Sequence, residues 1–436
     1  MNYYSTKHQT PAVSLKEAVI QGLPSDNGLF MPEHIKSLPK SFFNNISELS
    51  FADMAFEVAN TLIGEDIDTH KLREIIDKTI TFEAELKSLD PQSHVLELFH
   101  GPTFAFKDFG ARFMANTMSY FVENSGKQLH ILVATSGDTG SAVANGFLGV
   151  PNISVTVLYP KGKVSLIQEK QFTTLGQNIT ALEIDGTFDD CQSLVKQAFM
   201  DSDIQKTFFV SSANSINIAR LIPQSFYYFR AYAQLKNKDL PLFFVIPSGN
   251  FGNLTAGIFA KKMGLPISKF IAATNLNKII PDFLKTGNFE PKPSVQTISN
   301  AMDVGNPSNF ARIADLYAND LAAIQTDMKG YFYDDQQTQN AMIDCKKRYD
   351  YILDPHGAIG YLAWKDFEKE FAKPANGIIL ETAHPAKFLE VVEQTLNEKV
   401  EIPARLLEFM EKPTKKILLS KEFAVFKDFL MNNLKN

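Results

Sequence analysis

The chain has only two cysteines and one tryptophan in 436 residues, and it carries no excess of positive charge. Cys191 and Cys345 lie far apart without a metal-type spacing, so they are expected as reduced, buried thiols rather than a disulfide framework. A net charge of -6 gives no basic footprint for nucleic acid or for an anionic membrane surface. Long apolar runs are also missing: a stretch such as Leu242–Ile246 is far too short to cross a bilayer. The opening Met1-Asn2-Tyr3-Tyr4-Ser5-Thr6-Lys7 lacks the apolar core of a signal peptide, which makes the cytoplasm the expected compartment. His100, His356 and His384 show no metal-ligand spacing, so they are expected to be packed or hydrogen-bonded, and no catalytic metal is expected.

With 44% hydrophobic and 21% charged residues, the composition is that of a globular protein too long for one ordinary core. Residues 1 to about 85 look like a separate unit, with helical patterning through Phe51, Ala52, Phe56, Val58, Ala59 and Leu62 and again from His70 to Thr79. Ser88-Leu89-Asp90-Pro91 then marks a boundary turn. Beyond it, short β-branched runs alternate with helical stretches, the pattern of βαβ units around a parallel sheet. The expected strands are Leu129–Ala134, Ile153–Leu158, Ile179–Ile184, Phe208–Val210, Leu242–Ile246, Phe270–Ala273 and Gly377–Leu380. Helices are expected at Ser165–Leu175, Asp189–Met200, Ile218–Leu235, Asn309–Tyr317 and Gln336–Tyr349, with a closing amphipathic helix over Leu418–Leu434. The fold class is therefore α/β, a doubly wound and mostly parallel sheet.

Lys107 stands among phenylalanines in Phe104-Ala105-Phe106-Lys107-Asp108-Phe109-Gly110. An ammonium among aromatic rings loses hydration, so its pKa falls and neutral amine becomes available to attack a carbonyl. The alternative is a surface lysine whose stem lies over a ring. Three strand-to-helix junctions carry more Gly, Ser, Thr and Asn than a turn requires. In Thr135-Ser136-Gly137-Asp138-Thr139-Gly140-Ser141, backbone N–H groups and hydroxyls can face one anion, with Asp138 either capping the helix or reaching a ligand. In Ser248-Gly249-Asn250-Phe251-Gly252-Asn253, the spacing suits wrapping one terminal phosphate, or else a plain capped turn. In the third, Asn214, Ser215 and Arg220 can clamp a phosphate, with a solvated helix arginine as the alternative.

A reactive lysine, a phosphate cup and a separate anion pocket together point to pyridoxal 5'-phosphate and a phosphorylated or carboxylated substrate. His100-Gly101-Pro102-Thr103-Phe104-Ala105-Phe106-Lys107-Asp108 resembles the cofactor-lysine motif of the threonine synthases, fold-type-II pyridoxal-phosphate enzymes of the tryptophan-synthase-β superfamily. The resemblance covers nearly the whole chain. It continues through Gly22–Phe30, the Ser-Gly-Asp-Thr-Gly loop, Asn214-Ser215-Ile216-Asn217, the Gly-Asn-Phe-Gly-Asn loop, Asp354-Pro355-His356-Gly357 and Glu381–Phe388, in the family's order.

That resemblance implies a smaller mobile α/β subdomain within about 105–220 of a catalytic core spanning 86–400. It also implies a mainly helical N-terminal unit (1–85) and a C-terminal helical extension (401–436). It gives Lys107 the Schiff base to the cofactor, Gly249, Asn250, Phe251, Gly252 and Asn253 the cofactor phosphate, and Thr382 the pyridine nitrogen, unless Thr382 is only a helix cap. Ser136, Gly137, Asp138 and Thr139 fall at the substrate carboxylate, and Asn214, Ser215 and Arg220 at the substrate phosphate. Many relatives have an asparagine at the position of Asp138 that donates to the cofactor 3-oxygen; an ionised aspartate cannot, so the partner of that oxygen stays open. Lys161 and Lys163 either add positive potential or lie in a solvated loop. The implied substrate is O-phospho-L-homoserine, the implied reaction is γ-elimination and β-hydration to L-threonine, and the implied state is a monomer or homodimer. A dehydratase, another phosphate lyase or a cofactor-binding scaffold without turnover are the competing readings.

Overall fold

The computed structural model describes residues 1–123 and 126–434. Apolar β-branched runs that are buried along almost their whole length cannot face water on either side, and they assemble as parallel strands covered by helices. Ile417–Ser420, Ile179–Asp185, Ile153–Pro160, Leu129–Ala134 and Phe209–Ser212 form a five-stranded, all-parallel sheet in that spatial order. A six-stranded sheet runs Met328–Phe332, Ile267–Thr274, Leu242–Pro247, Asn376–Glu381, Ser93–Glu97 and Glu85–Ser88. Its strands are parallel except Glu85–Ser88, which pairs antiparallel with its neighbour. Asn376–Glu381, late in the chain, lies between Leu242–Pro247 and the early strand Ser93–Glu97, so connections diverge on its two sides. Such a switch leaves a crevice beyond the carboxyl ends of the strands.

All seven expected strands are present, with ends shifted by up to three residues. Ser93–Glu97 was not expected because Ser93, His94 and Glu97 break its apolar run. Those polar groups are buried but bonded: Ser93 Oγ accepts from Trp364 Nε1 at 2.9 Å, and Glu97 accepts from the Tyr351 hydroxyl at 2.9 Å. The expected helix Ile218–Leu235 is broken into Ile218–Leu221, a 3₁₀ turn Ile222–Ser225 and Phe226–Gln234. Pro223 inside it cannot supply a helical N–H. The N-terminal unit carries four helices and a small antiparallel sheet of Val13–Ser14, Asn2–Ser5 and Phe30–Pro32. Its core is continuous with that of the two larger sheets, through Tyr3, Phe51, Phe109, Phe113 and Phe244.

The expected closing helix Leu418–Leu434 is corrected at its start. Ile417–Ser420 is a strand paired with Leu182–Asp185, and the helix spans Phe423–Asn433. The β-favouring run Ile417-Leu418-Leu419 extends the sheet edge before the chain turns. Phe426 and Leu430 then pack fully buried against Leu182, Ile184, Cys191 and Leu194. Both thiols are buried, and burial pushes each up to about 12. Among the described residues no helix is long and apolar enough to cross a membrane. Phe426→Ala is expected to cost about 3–5 kcal/mol, read as an earlier urea transition in the circular dichroism; an unchanged transition would show that this helix does not stabilise the small sheet.

Candidate active site

Three loops leave neighbouring strands of the large sheet in the same direction. Glu97 lies opposite Glu381, and Val245 lies opposite Ile379, so the segments after residues 97, 247 and 381 emerge side by side. The segment after Glu97 turns at His100–Thr103 and comes back against the third loop. Phe106 N donates to Thr382 O at 2.9 Å, and His384 N donates to Phe104 O at 3.0 Å, pairing Ala105 antiparallel with Ala383. Lys107 is the next residue after this bridge and the first of the helix Lys107–Val122. The turn holds Phe104 at φ 58°, a left-handed conformation that is costly for an aromatic residue.

Lys107 is half-buried as a residue, and its amine has no hydrogen-bond or ion-pair partner among the described residues. Loss of hydration lowers its pKa to about 8; the Asp138 carboxylate opposes the shift, while the Arg220 and Lys387 charges add to it. The surface-lysine alternative does not hold. Thr382 is buried, and its hydroxyl likewise has no partner among the described residues, so it caps no helix.

The second loop forms an open cup. Phe251, at φ 62°, turns the chain into the helix Gly252–Lys262. The N–H groups of Gly249, Asn250, Phe251, Gly252 and Asn253 have no partner among the described residues. Asn250 is clamped from both sides, donating to Ser215 Oγ at 2.8 Å and accepting from Ser308 N at 2.6 Å. The Tyr227 and Tyr228 hydroxyls each donate to Asn253 Oδ1 at 2.8 Å, which leaves Asn253 Nδ2 buried and unpartnered.

The small sheet supplies the opposite wall. Leu132 lies opposite Ser212 in parallel register, so the loops Thr135–Ser141 and Ala213–Arg220 are neighbours. Not every loop amide is open as expected. Thr135 Oγ1 accepts from Gly137 N at 3.0 Å and from Gly140 N at 2.8 Å, leaving the N–H groups of Ser136, Asp138 and Thr139. Ser136 is exposed and Thr139, Asn214 and Ser215 are half-buried. Arg220 is buried in a single helical turn rather than solvated. Its Nη1 donates to Ala213 O at 2.8 Å, and its Nε is buried without a partner. Burial lowers its pKa to about 10, against the pull of Asp108. A glycine at 110 lets it lie against the Lys107 helix, since a Cβ there would stand 3.0 Å from Arg220 O.

Asp138 neither caps its helix nor stands free. It accepts from Lys387 Nζ at 2.6 Å and from Gln168 Nε2 at 2.9 Å, and Lys387 also donates to Thr103 O at 2.8 Å. Burial would raise the Asp138 carboxyl, but the Lys387 and Lys107 charges outweigh it and hold the group well below the usual range. Sequence reasoning missed Lys387 and Gln168. Lys387 lies inside the Glu381–Phe388 segment, but nothing in that spacing shows which carboxylate it meets. A cavity of about 890 Å³ opens beside these two residues, between Leu166 and Phe388.

Of the histidines, His100 Nε2 bonds Glu97 at 2.9 Å, His356 Nδ1 bonds Asp354 at 3.1 Å, and His384 Nδ1 accepts from Ala386 N at 3.1 Å. Burial lowers His384 to about 4, so it is neutral. Lys161 and Lys163 are solvent-exposed on their loop.

These residues fit a phosphorylated pyridine aldehyde. A buried donor without a partner costs about 1–3 kcal/mol, and Asn253 Nδ2, on the cup's own loop, has none. The Asp138–Lys387 pair carries its own test. Lys387→Met strands a buried carboxylate and is expected to destabilise the holoenzyme by about 3–5 kcal/mol in urea, with Asp138→Asn in the same chain recovering most of the loss. A double variant no more stable than the single one would contradict the pairing.

Residues 89–380 match the family model described as "Pyridoxal-phosphate dependent enzyme", residues 2–80 "Threonine synthase N terminus" and residues 357–430 "Threonine synthase, C-terminal". The chain is 43% identical over 434 residues to the threonine synthase of Haemophilus influenzae, covering 99% of this chain and 100% of that one. It superposes on the crystal structure of threonine synthase from Escherichia coli with a TM-score of 0.92, at 42% identity and 100% coverage of both chains. On the pyridoxal-phosphate-bound threonine synthase of Brucella melitensis the TM-score is 0.94, at 33% identity and 99% coverage of both. The chain belongs to the threonine synthase family, pyridoxal-phosphate-dependent lyases of threonine biosynthesis.

Proposed function

We propose that the chain converts O-phospho-L-homoserine and water into L-threonine and phosphate, with Lys107 as the group that moves the protons. The observation that carries this reading is the convergence of a poorly hydrated amine, a free threonine hydroxyl and an open N–H cup on adjacent parallel strands. Pyridoxal phosphate, when bound, supplies an aldehyde for amines and a ring that accepts charge developing at the substrate Cα. The N–H groups of Gly249 to Asn253 would hold its phosphate, and the Thr382 hydroxyl would serve its ring nitrogen.

The substrate carboxylate lies against Ser136 and the free N–H groups of Asp138 and Thr139, with Gly137 shaping the turn. Its phosphate lies against Asn214, Ser215 and the unpartnered edge of Arg220, whose charge stabilises the leaving group. Lys107 takes the proton from Cα, relays one from Cβ as the phosphate leaves Cγ, and returns protons at Cγ and Cα around the attack of water at Cβ. Water is excluded before elimination and admitted after it, by closure of the small sheet's subdomain toward the large sheet. The same reading divides the chain into units 1–85, 86–400 and 401–436, working in the cytoplasm as a monomer or homodimer.

Lys107→Ala is expected to abolish both phosphate release and threonine formation from O-phospho-L-homoserine; release of phosphate without threonine from the wild type would refute the reading. Arg220→Ala is expected to raise KM about tenfold or more while leaving the visible absorbance of the bound cofactor intact. Since only the neutral amine is nucleophilic, capture of cofactor by the apoprotein is expected to accelerate as pH rises through about 8. A midpoint near 10.5, the ordinary value for lysine, would remove the desolvated amine from the mechanism.

A further inference from the structure

Arg312 is a fully buried cation with no carboxylate partner among the described residues. Its guanidinium donates to Phe30 O at 3.0 Å, Ile216 O at 2.6 Å and Asn309 Oδ1 at 2.7 Å. Burial alone lowers its pKa to about 9. Because a guanidinium only donates, the Asn309 amide is held with its oxygen toward Arg312 and its NH₂ directed away. That Nδ2 is buried and has no partner. It lies 3.3 Å from where a Cβ of Gly252 would stand, beside the residue that opens the cup's helix. The preceding residue, Ser308, is itself bonded to Asn250 of the cup.

We propose that Asn309 is a further ligand of the cofactor phosphate and that Arg312 is its positioning residue, orienting the amide and lending the phosphate an otherwise unpaired buried charge. This rests on the reading that the N–H groups of Gly249 to Asn253 hold that phosphate. It also gives the N-terminal unit a task at the site, since Phe30 O on its sheet helps to fix the Arg312 guanidinium. Nothing in the local sequence, Pro307-Ser308-Asn309-Phe310, marks Asn309 as a ligand.

The test follows cofactor release from diluted holoenzyme by loss of visible absorbance, with a phosphatase destroying freed cofactor, alongside the ³¹P resonance of the bound phosphate. Asn309→Asp keeps the acceptor toward Arg312 but turns an anion toward the phosphate, whereas Asn309→Ala removes both contacts. A phosphate ligand therefore predicts faster release in the order Asp, Ala, wild type, with Asp on the order of 30-fold or more above wild type and a displaced ³¹P signal. A residue that only supports Arg312 gives the reverse, with Ala worse than Asp, and that order or unchanged release overturns the proposal. The wild-type ³¹P signal separates the underlying reading. A phosphate held in the cup keeps its shift across the pH range around 6 where a free phosphate monoester titrates. A wild-type signal that titrates like free cofactor would remove the cup itself, and Asn309 with it.

Discussion

Two main-chain hydrogen bonds, Phe106 N to Thr382 O and His384 N to Phe104 O, fix where Lys107 stands in this protein. They tie the returning loop of one strand to the exit of its neighbour, so that Lys107 opens its helix beside Thr382. The bridge holds Phe104 in a left-handed conformation, at a cost of about 1–2 kcal/mol. Burial of the Phe104 ring against Ala386 and Leu406, with the Arg405 guanidinium 4.9 Å from its centroid, offsets that cost. The strain is local and adjoins Lys107, where a backbone fixed by its surroundings keeps the amine from drifting toward water.

A chain of net charge -6 recruits anionic ligands by local arrangement. Lys107, Arg220 and Arg312 have no carboxylate partner among the described residues, whereas Lys387 is paired with Asp138. Asp138 offsets part of this charge. Paired with Lys387 and within electrostatic reach of Lys107, it stays ionised and cannot donate to a cofactor oxygen. Just behind the site, Glu381 is raised well above the carboxylate range, chiefly by burial and then by Asp354. The carboxylate facing the amine is thus held toward its charged form, while burial pushes the one behind Thr382 the other way.

What was legible in the sequence follows from what is locally encoded. Leu129–Ala134 and Leu242–Pro247 announce themselves because strands buried on both faces are apolar throughout, and the loops after them because tight turns concentrate Gly, Ser and Asn, although the left-handed residue of the second loop is Phe251. Ser93–Glu97 was hidden because its polar residues find partners, Trp364 and Tyr351, that are distant in the chain. Lys107 and Arg220 stand out through their neighbours in sequence. Lys387, Gln168, Asn309 and Arg312 do not, since each acquires its meaning from a partner on another element. The amides of Gly137 and Gly140 show the converse: a glycine-rich loop was recognisable, but which of its N–H groups remain free depends on Thr135 Oγ1.

Borohydride reduction of the holoenzyme, followed by proteolysis and mass mapping, tests most directly whether the bridge delivers the reactive amine. The phosphopyridoxyl group is expected on the peptide containing Lys107 and on no other. Its appearance on Lys387 or any other lysine would contradict the assignment from which the site, the proton steps and the cup all follow.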